Sequence, residues 1–317
     1  MNYPRECGCK GARSCLKCES DTDLGIKPKA YYQQFKARKS YVYCYICKKV
    51  YEGWDTENIE SEHAGSHNNL QGHAFPGILV IPEFLTKDEM NRLMKGIDEL
   101  HWDVSQSGRR KQNFGPKTNF KKRKLQLGHF KGFPEFSEFV QTKLREEVPL
   151  LHDFYVIEQC SLEYDPEKGA SIDPHIDDCW VWGERIVTVN LIGDSVLTFN
   201  RFTDDSNLNK YNLDCVESYK EHLIPVDGEA QCDLEEEEII IRVPQPERSL
   251  VVMYGNPRYK WEHSVLREDI KERRVCIAYR EFTPPYLVDG YEAEQSEQIN
   301  ELAKYFWNHN HLNKIVE

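Results

Sequence analysis

The stretch Asp173-Pro174-His175-Ile176-Asp177-Asp178 decides the reading of this chain. On a β-strand, residues two apart face the same way, so His175 and Asp177 can point together at one ion. An imidazole and a carboxylate at that spacing supply two ligands of a 2-His-1-carboxylate site, the set that leaves positions open on Fe(II). His-x-Asp alone is common, and its surroundings give it weight. β-like runs at 154–164, 185–192, 196–199, 239–243, 250–254 and 275–282 are separated by Pro, Gly, Asp and Asn. Among them Trp261-Glu262-His263-Ser264-Val265 brings a third ligand candidate, His263. Arg274 and Arg280 follow at an even spacing that puts both on one face of one strand. Guanidiniums aimed into a sandwich interior need anionic partners. A dicarboxylate such as 2-oxoglutarate would serve both, each carboxylate meeting an Arg fork; an internal salt bridge to Asp or Glu is the alternative for either one.

Working outward, Pro76-Gly77 opens a short apolar strand at 78–81. Thr86 stands three before Glu89, a capping box, and predicts an amphipathic helix to about residue 100. A second helix is expected over 136–147. Helices first and many short strands after them indicate an α+β chain whose second half is a sandwich or barrel. From 104 to 133 the chain has nine Lys and Arg, no Asp or Glu, and interleaved phenylalanines. Such a segment suits an anionic partner, although a solvated loop is the ordinary reading. The stretch 203–238, with its run of glutamates at 235–238, is expected to be an acidic solvated excursion.

The 317 residues carry 41 Lys+Arg against 53 Asp+Glu, a net charge of −12 that argues against a protein coating nucleic acid non-specifically. With 39% hydrophobic and 30% charged residues the composition is that of a globular chain. No run approaches the roughly 18 apolar residues of a membrane span, and the start lacks a signal-peptide h-region. Eleven cysteines then point to thiols in a reducing compartment. Six of them, Cys7, Cys9, Cys15, Cys18, Cys44 and Cys47, crowd into the first 47 residues with the short spacings of a tetrahedral thiolate zinc site. Two groupings stand open: Cys7, Cys9, Cys15 and Cys18, or Cys15-x2-Cys18 with Cys44-x2-Cys47 as a ribbon-like pair. His63, His67 or His73 could replace one sulfur. These features divide the chain into a cysteine-rich zinc module and linker at 1–73, a catalytic domain at 74–290, and a helical tail at 291–317.

The order His-x-Asp, a distant His, then Arg-x5-Arg resembles the AlkB family of Fe(II)/2-oxoglutarate dioxygenases. Arg5-Glu6-Cys7-Gly8-Cys9-Lys10-Gly11, Ser105-Gln106-Ser107-Gly108-Arg109-Arg110-Lys111-Gln112 and Trp182-Gly183-Glu184-Arg185 extend the resemblance from Arg5 to about Glu281. It implies a jelly-roll double-stranded β-helix, with His175, Asp177 and His263 binding iron. Arg274 would grip the distal carboxylate of 2-oxoglutarate, Arg280 would lie near the chelating one, and Tyr164 would contact the co-substrate. The segment 107–124, with Arg109, Arg110 and Lys111, occupies the place of the family's substrate lid. Trp180, Trp182 and Trp261 flank the ligands and could wall a pocket for a methylated ammonium. Two departures stand out: Leu162 where the family often has Asn, and Cys179 where nucleobase-repair members carry a further carboxylate. The implied reaction is oxidative N-demethylation of a macromolecule in the cytoplasm and nucleus: monomethyl-lysine on a protein such as actin, or N6-methyladenine in DNA. A non-catalytic adaptor using the zinc module and basic segment is the competing class.

Overall fold

The computed structural model describes residues 5–67, 70–203, 210–225, 234 and 238–308. Before residue 75 it has β1 (Ser40–Cys44), β2 (Lys49–Glu52) and β3 (His73–Ala74). Next come β4 (Ile78–Ile81), β5 (Asp103–Val104), β6 (Arg110–Phe114), a hairpin of β7 (Lys117–Asn119) and β8 (Lys124–Gln126), and β9 (Phe133–Pro134). The second half supplies β10 (Glu158–Tyr164), β11 (Ile172–His175), β12 (Trp182–Ile192), β13 (Ser195–Arg201), β14 (Ile240–Gln245), β15 (Leu250–Met253), β16 (Trp261–Val265) and β17 (Arg274–Phe282), with β18 (Phe306–Trp307) near the end.

Two seven-stranded sheets result, ordered β11-β16-β13-β14-β1-β2-β3 and β4-β15-β12-β17-β10-β6-β5. Strands β10 to β17 thus divide four and four between the sheets, the arrangement of a jelly roll. One core draws on both inner faces, from Val187, Val189 and Val252 to Phe199, Ile241 and Val243. Each such fully buried aliphatic side chain is worth about 1.5–3 kcal/mol. The helix Lys87–Glu99 is closed by the expected Thr86–Glu89 box and buries Met90, Leu93, Met94 and Ile97. The helix Glu138–Glu147 buries Val140 and Leu144.

The stretch set apart by composition at 1–73 is built into this scaffold: Glu19 pairs with Arg267 and Lys29 with Asp173, and from residue 40 its strands join the sheet. β1 pairs in parallel with β14, Ser40 opposite Ile240. Tyr41, Tyr43 and Val50 enter the main core, and the Tyr43 hydroxyl donates to the Ile78 carbonyl at 2.9 Å. Its tyrosines give no sustained apolar pattern along the chain, yet their rings fill the end of the sandwich. At the other terminus the helix Ala293–Leu302 forms within the expected tail, while 309–317 lies outside the described residues. Of the acidic excursion, 204–209, 226–233 and 235–237 lie outside the described residues, and 3-10 turns span Lys210–His222. No described helix is long and apolar enough to cross a membrane.

Candidate active site

The pairing of β11 with β16 sets His175 directly opposite His263. Their rings lie 4.3 Å apart between centroids. Asp177, two residues beyond His175, reaches His263 Nε2 with Oδ2 at 3.4 Å, and donor atoms of all three residues fall within 4.8 Å of one another. The Nδ1–H of His175 donates to the Asp173 carbonyl at 2.9 Å, which fixes a tautomer with Nε2 free to ligate. Burial, then the neighbouring His263, pushes His175 down to about 3, so it is a neutral donor at physiological pH. Burial alone would raise the Asp177 carboxyl, but Arg280 and the two imidazoles outweigh it and hold it well below the usual range. Two imidazole nitrogens and an ionised carboxylate form a donor set able to hold a divalent metal.

The two arginines separate on inspection of their partners. On the neighbouring β10, Tyr164 pairs with Arg274 and Glu158 with Arg280. Arg280 donates to Asp177 Oδ1 at 2.8 Å and to Glu158 Oε2 at 2.5 Å. For Arg280 the internal salt bridge is therefore what the structure shows. Arg274 is 1% exposed and, among the described residues, donates to neutral acceptors only, Asn190 Oδ1 at 2.9 Å and Gln245 Oε1 at 3.0 Å. Its guanidinium lies 4.7 Å from the Tyr164 ring centre, and its Nη1 has no hydrogen-bond partner among the described residues. A buried cation without a carboxylate is costly, so this position is prepared for an anion.

Four contributors were not legible in the sequence. Asn190, Gln245 and Glu158 sit on β12, β14 and β10, and only tertiary pairing carries them to the arginines. Arg258, 0% exposed, donates to the carbonyls of Asp177 at 2.8 Å, Trp182 at 2.9 Å and Gly183 at 3.1 Å. It pins the loop that carries Asp177. The sequence signal, an arginine in a short Gly-Asn-Pro-Arg turn, is too ordinary to find it.

The basic segment is split by strand alternation. Lys111 opposes Leu162 on β10, and Arg109 lies 5.9 Å from the Tyr164 ring centre, so both stand on the site's side. Arg110 faces the other way, in a bidentate pair with Glu163 beside the Trp102 ring; its expected substrate role gives way to a structural ion pair. Trp182 packs its ring under the Arg280 guanidinium at 5.6 Å and meets Phe120 of the basic loop at 6.3 Å. Trp180 is buried against Tyr286 and Trp261 against Phe75, so these two are core and not pocket wall. Cys179 is fully buried, and Asp178 is occupied by Asn212 at 2.9 and 3.0 Å.

The N-terminal cysteines fall into two groups. Cys7, Cys9, Cys15 and Cys18 converge in one cluster, whereas Cys44 and Cys47 meet His63 and His67 in another. The ribbon-like grouping of Cys15 and Cys18 with Cys44 and Cys47 is therefore not formed. The reason is topological: Cys44 ends β1 and Cys47 lies in the turn to β2, while the first cluster sits on the loop at 105–108. There the Ser107 N–H donates to Cys9 Sγ at 3.2 Å. Gly8, at φ +80°, allows the close approach, since a Cβ would stand 2.9 Å from the Ser105 carbonyl oxygen. His73 belongs to neither cluster and edges the Tyr41 ring.

No family model matches the chain. It is 36% identical over 307 residues to the human alpha-ketoglutarate-dependent dioxygenase alkB homolog 4, covering 95% of this chain and 94% of that one. It is 31% identical to a Caenorhabditis elegans DNA N6-methyl adenine demethylase, covering 92% and 93%. Of solved structures, that of OsALKBH1 shares 11% identity over 66% of this chain and 100% of its own, with a TM-score of 0.41. With that identity to the human protein over nearly the full length of both chains, the chain belongs to the AlkB family of Fe(II)/2-oxoglutarate-dependent dioxygenases.

Proposed function

We propose that the chain oxidatively removes an N-methyl group from a lysine of a protein substrate, actin being the protein the sequence resemblance suggests, with His175, Asp177 and His263 as iron ligands. The observation that carries the site reading is Arg274: fully buried, without an acidic partner among the described residues, and beside a three-donor group. That is the arrangement a dicarboxylate bridging metal and arginine requires. Fe(II) with 2-oxoglutarate and dioxygen supplies hydroxylation of the methyl C–H, with loss of CO2 from 2-oxoglutarate to leave succinate. The chain's own groups do the rest. Arg274 and Tyr164 would hold a carboxylate of the co-substrate. Arg280 keeps Asp177 ionised and oriented. Arg258 holds the Asp177 loop, and Phe120 with Trp182 closes the side toward the basic loop. The hydroxylated methyl then leaves as formaldehyde.

The net charge of −12 and the loss of Arg110 to Glu163 favour a protein substrate over a phosphate backbone. A buried Cys179 where base-repair members carry a carboxylate points the same way. A second reading, N6-methyladenine in DNA, is favoured by the exposed Lys117, Lys121, Lys122 and Lys124 of the loop and by the activity named for the nematode relative. Formaldehyde release from monomethyl-lysine peptides and from N6-methyladenine oligonucleotides, side by side, tests the choice; turnover confined to DNA would reverse it. In the same proposal, Cys7, Cys9, Cys15 and Cys18 hold one structural zinc that fixes the loop carrying Ser107 and Arg109. Two of their sulfur separations, 3.3 Å for Cys7–Cys18 and 3.7 Å for Cys15–Cys18, lie near the roughly 3.8 Å edge of a thiolate–zinc tetrahedron.

A further inference from the structure

The first cysteine cluster leaves Cys44 and Cys47 unexplained, and the residues around them repay a closer reading. Their spacing with two histidines is Cys-x2-Cys-x15-His-x3-His, from Cys44 to His67. That is the interval of a two-cysteine, two-histidine zinc site. The local structure follows the same plan. β1 and β2 form an antiparallel hairpin with Cys44 opposite Lys49. Its turn is closed by the Lys48 N–H donating to the Cys44 carbonyl at 2.8 Å, with Lys48 at φ +58°. A helical segment follows, Ile59–Glu62 continuing through His63–His67. Histidines four apart on a helical turn share one face, and here that face meets the hairpin.

The donor atoms are placed for a tetrahedral ion. Cys44 Sγ lies 3.5 Å from His63 Nδ1, and Cys47 Sγ lies 3.9 Å from His67 Nδ1. Zinc with bonds near 2.3 Å to sulfur and 2.1 Å to nitrogen separates such donors by about 3.6 Å. The His67 ring is stacked on Tyr51 at 3.7 Å and 5°, which holds it in place. Val42, Cys44, Tyr51 and Ile59 form a small core of their own, too few residues to order the connection from β2 to β3 unaided.

We propose that Cys44, Cys47, His63 and His67 form a second zinc site, independent of the four-cysteine cluster, that clamps the β2–β3 connection onto the edge of the jelly-roll sheet. The site is structural. All four ligands come from protein, which closes the coordination sphere against substrate. Glu57, Glu60 and Glu62 line the helical segment, a charge that repels phosphate and sets this unit apart from base-reading fingers of like spacing. Its consequence reaches the barrel through β1, which pairs with β14, and through β3, which pairs with β2 at Val50 opposite His73.

The test is zinc stoichiometry of the full chain prepared under reducing conditions, a quantity read without turnover and so separate from the dioxygenase reading. The wild type should hold two zinc ions. His67→Ala should hold one, and Cys15→Ser should hold the other. Cobalt(II) loaded into Cys15→Ser should show the tetrahedral spectrum of two thiolates and two imidazoles, and His67→Cys should retain the metal while its thiolate charge-transfer band grows. Amide exchange across 53–67 should slow when zinc is added to Cys15→Ser. Equal zinc in wild type and His67→Ala would overturn the proposal, as would a cobalt spectrum in Cys15→Ser unchanged by His67→Cys.

Discussion

Replacing Arg274 by Met tests the co-substrate half of the site, and its size can be worked from the contacts. The variant removes two hydrogen bonds, to Asn190 and Gln245. Gln245 Oε1 keeps the Ser195 hydroxyl at 3.0 Å, so only Asn190 Oδ1 loses its partner, at a cost of about 1–3 kcal/mol. That cost is offset because the fold no longer buries a guanidinium without a carboxylate. The folded protein should therefore lose little stability, within about 2 kcal/mol. Binding of 2-oxoglutarate should suffer far more. A charge-assisted bidentate contact is worth about 2–4 kcal/mol, which weakens affinity by about 30- to 700-fold. Anaerobic calorimetry of 2-oxoglutarate binding to the Fe(II)-loaded variant reads the Kd, and a thermal melt reads the fold. A well-folded variant with an unchanged Kd would refute the assignment.

Other expectations follow from the same structure. Arg258→Leu removes three hydrogen bonds to the carbonyls of Asp177, Trp182 and Gly183, and Fe(II) affinity should fall about 10- to 100-fold by metal titration; unaltered affinity would show that the loop needs no clamp. Burial opposes ionisation of Glu163, but Arg110 and Arg273 outweigh it and lower its pKa. Its contribution is thus present above the unfolded value of about 4.3 and lost as pH falls through the depressed one. Glu163→Gln should cost about 1 kcal/mol at pH 7 after solvent screening, and the gap in melting temperature should close in acid; a gap constant with pH would contradict this. Cys15→Ser should free the loop beneath Cys9, seen as faster exchange of the Ser107 amide; protection equal to wild type would mean the cluster does not hold that loop.

What was legible in the sequence was whatever depended on local period. His175 and Asp177 share a strand face by spacing alone, the capping box at Thr86 marked its helix, and runs such as 250–254 fell on strands. Arg274 and Arg280 were correctly placed on one face, yet their fates differ because Glu158, distant in sequence, neutralises only one. The basic run misled for the reason that makes strands readable: alternation turned Arg110 to Glu163 while Arg109 and Lys111 stayed at the site. β1 and β2 give no period-2 signal because tyrosines and a cysteine share their buried positions with Val42 and Val50, and the burial of β1 depends on its partner β14 some two hundred residues away. The cysteines were seen, but which of them meet depends on that sheet edge. The interval from Cys47 to His63 was the signal that could have separated them.

His175, Asp177 and His263 would hold one metal, and Arg274 would receive a carboxylate of 2-oxoglutarate. Anaerobic addition of Fe(II) and then 2-oxoglutarate, followed by visible absorption, tests this most directly, because a co-substrate chelating the iron through its keto acid produces a charge-transfer band. The band should appear at one equivalent of each in the wild type, and should be absent in His175→Ala that remains folded. Wild-type protein that takes up one Fe(II) and binds 2-oxoglutarate without producing the band would contradict the account.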